Sequence, residues 1–551
     1  MHRMLLVIAA LCLCLPAIAS DFGWQPDIKE RARHPRHAGY VALQVISSLD
    51  PDEAEFQGWA ALRVRRSDKA GRSYTLQGTR AGISSGQVFA GALPAGEYEM
   101  LSLRGVDAER GIEGTLSLPI LADYARFRVA AGRLSDLGTL VLGIDDRPVP
   151  APRNPFYRKL PMQQWRVASR PGLIHWLHAV YPWLAQVRDN ALPIATAAPG
   201  PLERTMLGSV AGPKRLDDGT LVLPDRLGQV RMYGADQRWR VAESGFSVDV
   251  LDAIDLDGRL LIAGDRGLIA LERADGGFDA HTGLAGDLVL HWLGRAEGAV
   301  YALGERPQEA QLLRLDAKAA RWEVVARFGR REGFRPASST DGPWNLLGSP
   351  VPRSIARPTR AFVLAQQTDG LLLAVGSRRW FYPHADGALQ ARGRGPSLAG
   401  MYTQANGVRV ARPADDGAVE DALYSRDGGI TWLQSRRPSA SRNLALTLRR
   451  APPYVDATGT VLWIGPRLSR DGQLRVVATP GMYLLQAQDA SKRHGWQALR
   501  PMQPGCPRLL GALSSDREWY AQCDDLRILR SDDHGARWQT LWPSPDSASP
   551  P

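Results

Sequence analysis

Six residues of one segment have the chemistry most open to an anionic ligand: Arg331, Arg335, Trp344, Arg353, Arg357 and Arg360. A guanidinium fork binds a carboxylate or phosphate through two parallel hydrogen bonds, and an indole among such forks adds a face for stacking. Between Gly329 and Arg360 the acidic residues opposing them are Glu332 and Asp341. A second basic segment brings Arg436, Arg437, Arg442, Arg449 and Arg450. The expected partner is an acidic protein segment or an acidic glycan, bound without catalysis.

Residue types that would do covalent or metal chemistry are not arranged for it. There is no Gly-x-Ser-x-Gly elbow, no His-Glu-x-x-His pair and no phosphate-cradling glycine loop followed by lysine. Glu420 and Asp421 are carboxylates in a loop pattern, where solvation is the ordinary state. His175 and His178 stand three apart on a helical pattern, but no acid or cysteine accompanies them, so they read as packing or surface histidines. No catalytic residue, metal or cofactor is predicted.

Arg3, the apolar run Leu5 to Leu15 and the small residues up to Ala19 have the order of a secretory signal peptide, predicted over 1–19. Cys12 and Cys14 follow leucines, which does not suit a lipoprotein signal. No later stretch reaches the ~20 apolar residues of a membrane helix. The whole chain carries 68 Lys+Arg against 57 Asp+Glu. In an exported protein such a charge faces acidic glycans, lipid headgroups or acidic proteins rather than nucleic acid. A periplasmic or secreted monomer is expected. Past the leader only Cys506 and Cys523 remain, and a hairpin centred between Ser514 and Ser515 would set them opposite each other as a disulfide.

The elements that must position these residues are almost all strands. Residues 38–145 alternate as half-buried strands do, for instance in Tyr40-Val-Ala-Leu-Gln-Val-Ile46. Residues 146–205 begin with Pro148, Pro150, Pro152 and Pro155 and continue into a helical pattern at Leu173, Trp176, Leu177 and Val180, which reads as a stiff linker. From residue 206 to about 545 short strands alternate with Gly-Asp turns. A closing position recurs at Trp239, Phe278, Trp322, Leu389, Trp432, Trp496 and Trp538. The spacing is about 42 residues with two longer steps, which suits blades of four strands.

Ser425-Arg-Asp-Gly-Gly-Ile-Thr-Trp432 and Ser531-Asp-Asp-His-Gly-Ala-Arg-Trp538 resemble the Asp box, Ser-x-Asp-x-Gly-x-Thr-Trp, of sialidase-like and photosystem-assembly-factor-like propellers. The resemblance implies a mainly β chain ending in a propeller of roughly seven blades. It makes Ser425, Asp427, Gly429, Trp432, Ser531, Asp533, Gly535 and Trp538 structural staples of the outer strands. Leu93-Pro-Ala-Gly-Glu-Tyr98 resembles the hairpin of carboxypeptidase-regulatory-like β-sandwiches, which implies a sandwich for the N-terminal domain. The alternative function implied is a sialidase-like glycosidase acting on acidic sugars. Such enzymes use an arginine triad, a tyrosine assisted by glutamate, and an acid/base aspartate. The first repeat, from Gly219, lacks the family's Arg-Ile-Pro-type motif.

Overall fold

The computed structural model describes residues 37–47, 56–67, 72–80, 86–107, 114–144, 162–167, 172–189, 213–281, 283–316, 321–335, 360–384, 387–404, 406–413, 422–435, 454–456, 460–465, 468–470, 476–478, 483–487, 496–504, 509–514, 518–523 and 527–542. The chain is mainly β and divides into two compact units, one within residues 1–200 and one from residue 201 onward except for 340–353. Among the described residues no helix is long and apolar enough to cross a membrane. The predicted leader, 1–19, lies outside them.

In the first unit the strands are β1 (Ala38–Ser47), β2 (Phe56–Arg66), β3 (Ser73–Arg80), β4 (Gln87–Pro94), β5 (Gly96–Asp107), β6 (Gly114–Pro119), β7 (Arg126–Val129), β8 (Arg133–Ile144), β9 (Met162–Val167) and β10 (Arg188–Asp189). They form one hydrogen-bonded sheet in the order β10-β8-β1-β4-β3-β2-β5-β6, with β7 beside β5 and β9 beside β8. The expected sandwich of two sheets is thus a single path that changes partner along β3. The first half of β3 pairs with β2 (Arg65 opposite Ser73), and its end pairs with β4 (Arg80 opposite Gln87). Val41, Leu43 and Leu140 from one half and Leu62, Tyr98 and Leu103 from the other share one core.

Two expectations are corrected here. β4 and β5 do not form a hairpin: β4 pairs with β1 and β3, while β5 pairs with β2, β6 and β7. Tyr98 does point inward, donating to Pro94 O at 2.7 Å and stacking on Phe127. The segment read as a linker belongs to this unit at least as far as Asp189, because β9 and β10 both pair with β8. The helix Gly172–Val180 lays Leu173, Trp176 and Leu177 on Tyr40, Ala42, Val88 and Ala92. That outer face of β1 and β4 is apolar and needs a cover, which a helix with one apolar stripe supplies.

The second unit holds seven four-stranded antiparallel sheets among its described residues, spanning 214–243, 250–280, 289–328, 361–394, 398–435, 454–501 and 509–542. Each runs in sequence order, apart from a two-stranded hairpin, Leu468–Arg470 with Val476–Ala478, set between the second and third strands of the sixth. Apolar clusters join first to second, second to third, third to fourth and fourth to fifth sheets, and one cluster spans the fifth, sixth and seventh. The seventh returns to the first through Tyr520 and Ile528 against Leu221 and Leu223, and Trp239 Nε1 donates to Leu541 O at 2.9 Å. A ring of sheets closed in this way is a β-propeller.

The first strands face the axis. Asp252 in the second sheet accepts from Lys214 Nζ of the first at 2.6 Å and from Leu293 N of the third at 2.7 Å. Turn geometry then fixes which loops share an end. In the first two sheets the second-to-third turn closes with Gly228 and Gly267 at φ 74° and 70°. Their amides donate to Val248 O and Leu288 O, just before the next sheet's first strand. A side chain at Gly228 would meet Phe246 O at 2.2 Å, so only glycine allows this approach. Second-to-third turns and sheet-to-sheet connections therefore lie together at one end, the connection end. First-to-second and third-to-fourth turns lie at the other.

Candidate functional site

The turns at 425–432 and 531–538, called box turns below, sit between third and fourth strands. Ser425 Oγ donates to Asp427 Oδ1 at 2.8 Å and accepts from Gly429 N at 2.8 Å. Asp427 also accepts from Ile430 N, Thr431 N and Thr431 Oγ1, and Trp432 Nε1 donates to Gly429 O at 2.9 Å. In the second copy Ser531, Gly535 and Trp538 repeat these bonds. Arg537 replaces the threonine without loss, since its amide and its Nε both donate to Asp533, at 2.8 and 3.1 Å. Both carboxylates already accept along both oxygens, which leaves little capacity for a cation.

The connection end is where the basic segments leave the sheets. The first runs from Phe328 of the third sheet to Ala361 of the fourth, and the second from Ser435 of the fifth to Tyr454 of the sixth. The start of the first is a built turn. Glu332 caps Gly329 N at 2.7 Å, Phe334 is buried, and Trp380 Nε1 of the fourth sheet donates to Glu332 O at 2.9 Å. Gly333, at φ 102°, lies on the stem of Arg378, where a side chain would meet Cγ and Cδ at 3.2 Å. Arg378 Nη1 in turn donates to Arg331 O.

This arrangement divides the predicted binding residues. Arg331 and Arg335 are exposed on the turn, beside Arg330. Arg360 is instead half-buried, over the Phe362 ring at 5.6 Å and close enough to act on Glu305. Burial pushes the Glu305 carboxyl up, but His291, Arg360 and the Ala361 amide outweigh it and hold it below its ordinary value. Trp344, Arg353 and Arg357 lie outside the described residues. The structure adds two arginines that sequence reasoning missed. Arg378 and Arg394 stand directly opposite each other on the third and fourth strands of the fourth sheet. Among the described residues none of Arg330, Arg331, Arg335, Arg378 and Arg394 has a carboxylate partner.

Nearby, Arg379 is buried and donates to Gly376 O, Arg378 O and Pro396 O, the last at 2.7 Å. Burial pulls its guanidinium down to about 10. The connection end also hides an ion pair inside the first sheet. Arg231 donates from Nε and Nη2 to Asp225 at 2.6 and 3.1 Å, with both side chains at most 2% exposed.

The opposite end holds the constellation nearest to a sialidase centre. Tyr520 Oη donates to Glu518 Oε2 at 2.9 Å, with Arg215 and Arg530 also on that carboxylate. Burial, reinforced by Glu518, pushes the Tyr520 phenol up to about 12. The phenol therefore holds its proton more tightly than a free tyrosine does. Among the described residues no group of His, Cys, Asp and Glu could hold a metal ion.

Cys523 is fully buried at the end of Trp519–Cys523, opposite Leu509. The expected register, with Cys506 across from it, is corrected by three residues. The turn centres beyond Ser515 because Trp519, packed in the core, opens the second strand opposite Ser514. Cys506 itself lies outside the described residues.

No family model matches the chain, and no curated protein matches it. Among solved structures, YCF48 bound to a D1 peptide is similar at 12% identity and TM-score 0.34, covering 53% of this chain and 80% of that one. A virginiamycin B lyase from Staphylococcus aureus aligns at 9% identity and TM-score 0.36, covering 58% and 94%. The Dos1 propeller aligns at 8% identity and TM-score 0.34, covering 60% and 84%.

Proposed function

We propose that this chain is an exported, seven-bladed Asp-box propeller protein that binds an acidic partner, protein or glycan, at its connection end. One observation carries the reading. Two long arginine-rich connections leave the sheets at the same end, and among the described residues the arginines at the root of the first have no carboxylate partner. Five guanidinium groups without a carboxylate partner among the described residues repel where they approach one another, and an acidic ligand relieves that repulsion while gaining charge-assisted bonds.

The test is binding of poly-L-glutamate and of polygalacturonate to the full mature chain, compared with a variant carrying R330Q, R331Q and R335Q. Affinity for at least one polymer is expected to fall about tenfold, with a shallower dependence on salt. Equal affinity of both proteins for both polymers would sink the reading. A glycosidase reading is less well supported, because Tyr520 and Glu518 sit at the box end, away from the arginine-rich connections, and the first sheet lacks the Arg-Ile-Pro-type motif.

The same reading places the protein in the periplasm or outside the cell as a monomer, with Cys506 and Cys523 joined. Only these two cysteines follow the leader, and Cys523 is buried in the last sheet. Alkylation of the unfolded, unreduced mature protein followed by peptide mass analysis is expected to leave both cysteines unmodified. Labelling of either would reject the bridge.

A further inference from the structure

The Arg378 and Arg394 pair asks for more than a general acidic surface. They are cross-strand partners on adjacent strands. Side chains so placed have Cβ atoms about 4.5–5.5 Å apart, and like charges there destabilise the sheet. The local backbone holds them in place. Between Ala391 and Arg394 the outer strand has one more residue than its partner has between Arg378 and Trp380, with Gly393 at φ 101°. A bulge of this kind twists an edge away from strand addition, so a ligand here meets side chains rather than the strand's backbone.

The Arg378 stem is pinned beneath Gly333, and one of its nitrogens is fixed on Arg331 O. Arg392, the other cation of this strand, is turned aside over the Phe381 ring at 4.9 Å and donates to Gln390 Oε1. Trp380 has its indole N–H committed to Glu332 O. Arg378 and Arg394 are left on neighbouring strands, directly opposite each other and without a carboxylate partner among the described residues.

A single carboxylate offers two oxygens and one charge, which one fork satisfies. A phosphate monoester offers three oxygens and a charge near −2 at neutral pH, enough for two forks. We propose that Arg378 and Arg394 form a phosphate-monoester site on the flank of the fourth sheet. This rests on the acidic-partner reading and narrows it to one chemical group. The group is the same whether a soluble phosphate ester or a lipid headgroup supplies it.

The experiment measures binding of phenyl phosphate and benzoate to the mature protein, then to R378Q, R394Q and the double lysine variant R378K/R394K. Melting midpoints confirm that each variant is folded. The wild-type protein is expected to prefer phenyl phosphate by about tenfold. Each glutamine variant should lose most of that preference, and the lysine variant should lose it too, since charge without a fork is not enough. Vesicles containing phosphatidic acid, set against phosphatidylglycerol vesicles, identify the source: retention on the first alone marks a headgroup, retention on neither a soluble ester. Equal affinity for phenyl phosphate and benzoate in the wild-type protein overturns the proposal whatever the variants do. So does full preference in R394Q. If either occurs while the R330Q/R331Q/R335Q protein still loses polymer binding, the broader reading stands and this one falls.

Discussion

Asp225→Ala is expected to lower the free energy of unfolding by about 3–5 kcal/mol, the range for breaking one side of a buried ion pair. The value is large because of what is left behind. Arg231 is fully buried and spends two of its donors on the Asp225 carboxylate, so removal of that carboxylate strands a buried cation. Arg226, also buried, stands close enough to act on Asp225 and would feel the same loss. The double variant D225A/R231M separates the pair from the site itself. Replacing both charges with apolar groups removes the stranded cation, so the double variant is expected to be more stable than Asp225→Ala alone. Urea unfolding of all three proteins with a common slope provides the comparison. A single-variant loss under about 1 kcal/mol, the level of an exposed pair, would mean that water reaches the pair.

That pair also marks where sequence reasoning stops. Pro224-Asp-Arg-Leu-Gly228 has the composition of an exposed turn, yet it is buried and bonded to the connection into the second sheet, where Gly228 N donates to Val248 O and Val250 N donates to Asp225 O. The repeat itself was legible because its signal is local. The positions Trp239, Phe278, Trp322, Leu389, Trp432, Trp496 and Trp538 all fall at or next to the start of a fourth strand, since an aromatic residue after a tight turn packs that outer strand. The apolar stripe of Gly172–Val180 was equally visible. Its docking on β1 and β4 was not, because the prolines before it imitate a linker. Arg378 and Arg394 were overlooked for a related reason. Their opposition depends on a bulge in the outer strand, and arginines are too frequent in this chain for spacing alone to pick out a pair.

Removing both box carboxylates, in D427A/D533A, is expected to cost about 2–4 kcal/mol, taking each as a capping carboxylate worth about 1–2 kcal/mol. Each of them bonds to its serine and to amides of its own turn, and the second adds the Arg537 side chain. Acid should produce the same loss in the native protein. Slight burial raises each carboxyl, but the bonds from Thr431 and Ser425 in one turn, and from Arg537 and Ser531 in the other, outweigh it and hold both at about 2. The ordinary value is 3.8, so the folded state prefers the ionised form. The contribution is therefore complete above the unfolded value and fades as pH falls from there toward about 2. Both groups are near the surface, so salt and water reduce the effect below what the shift alone implies. Urea unfolding at stepped pH between neutrality and about 2.5 should show a shallower acid decline in the D427N/D533N protein than in the native one. Parallel declines would assign the acid sensitivity to other carboxylates. The propeller fold would then depend on its apolar seams and buried pairs rather than on the box turns.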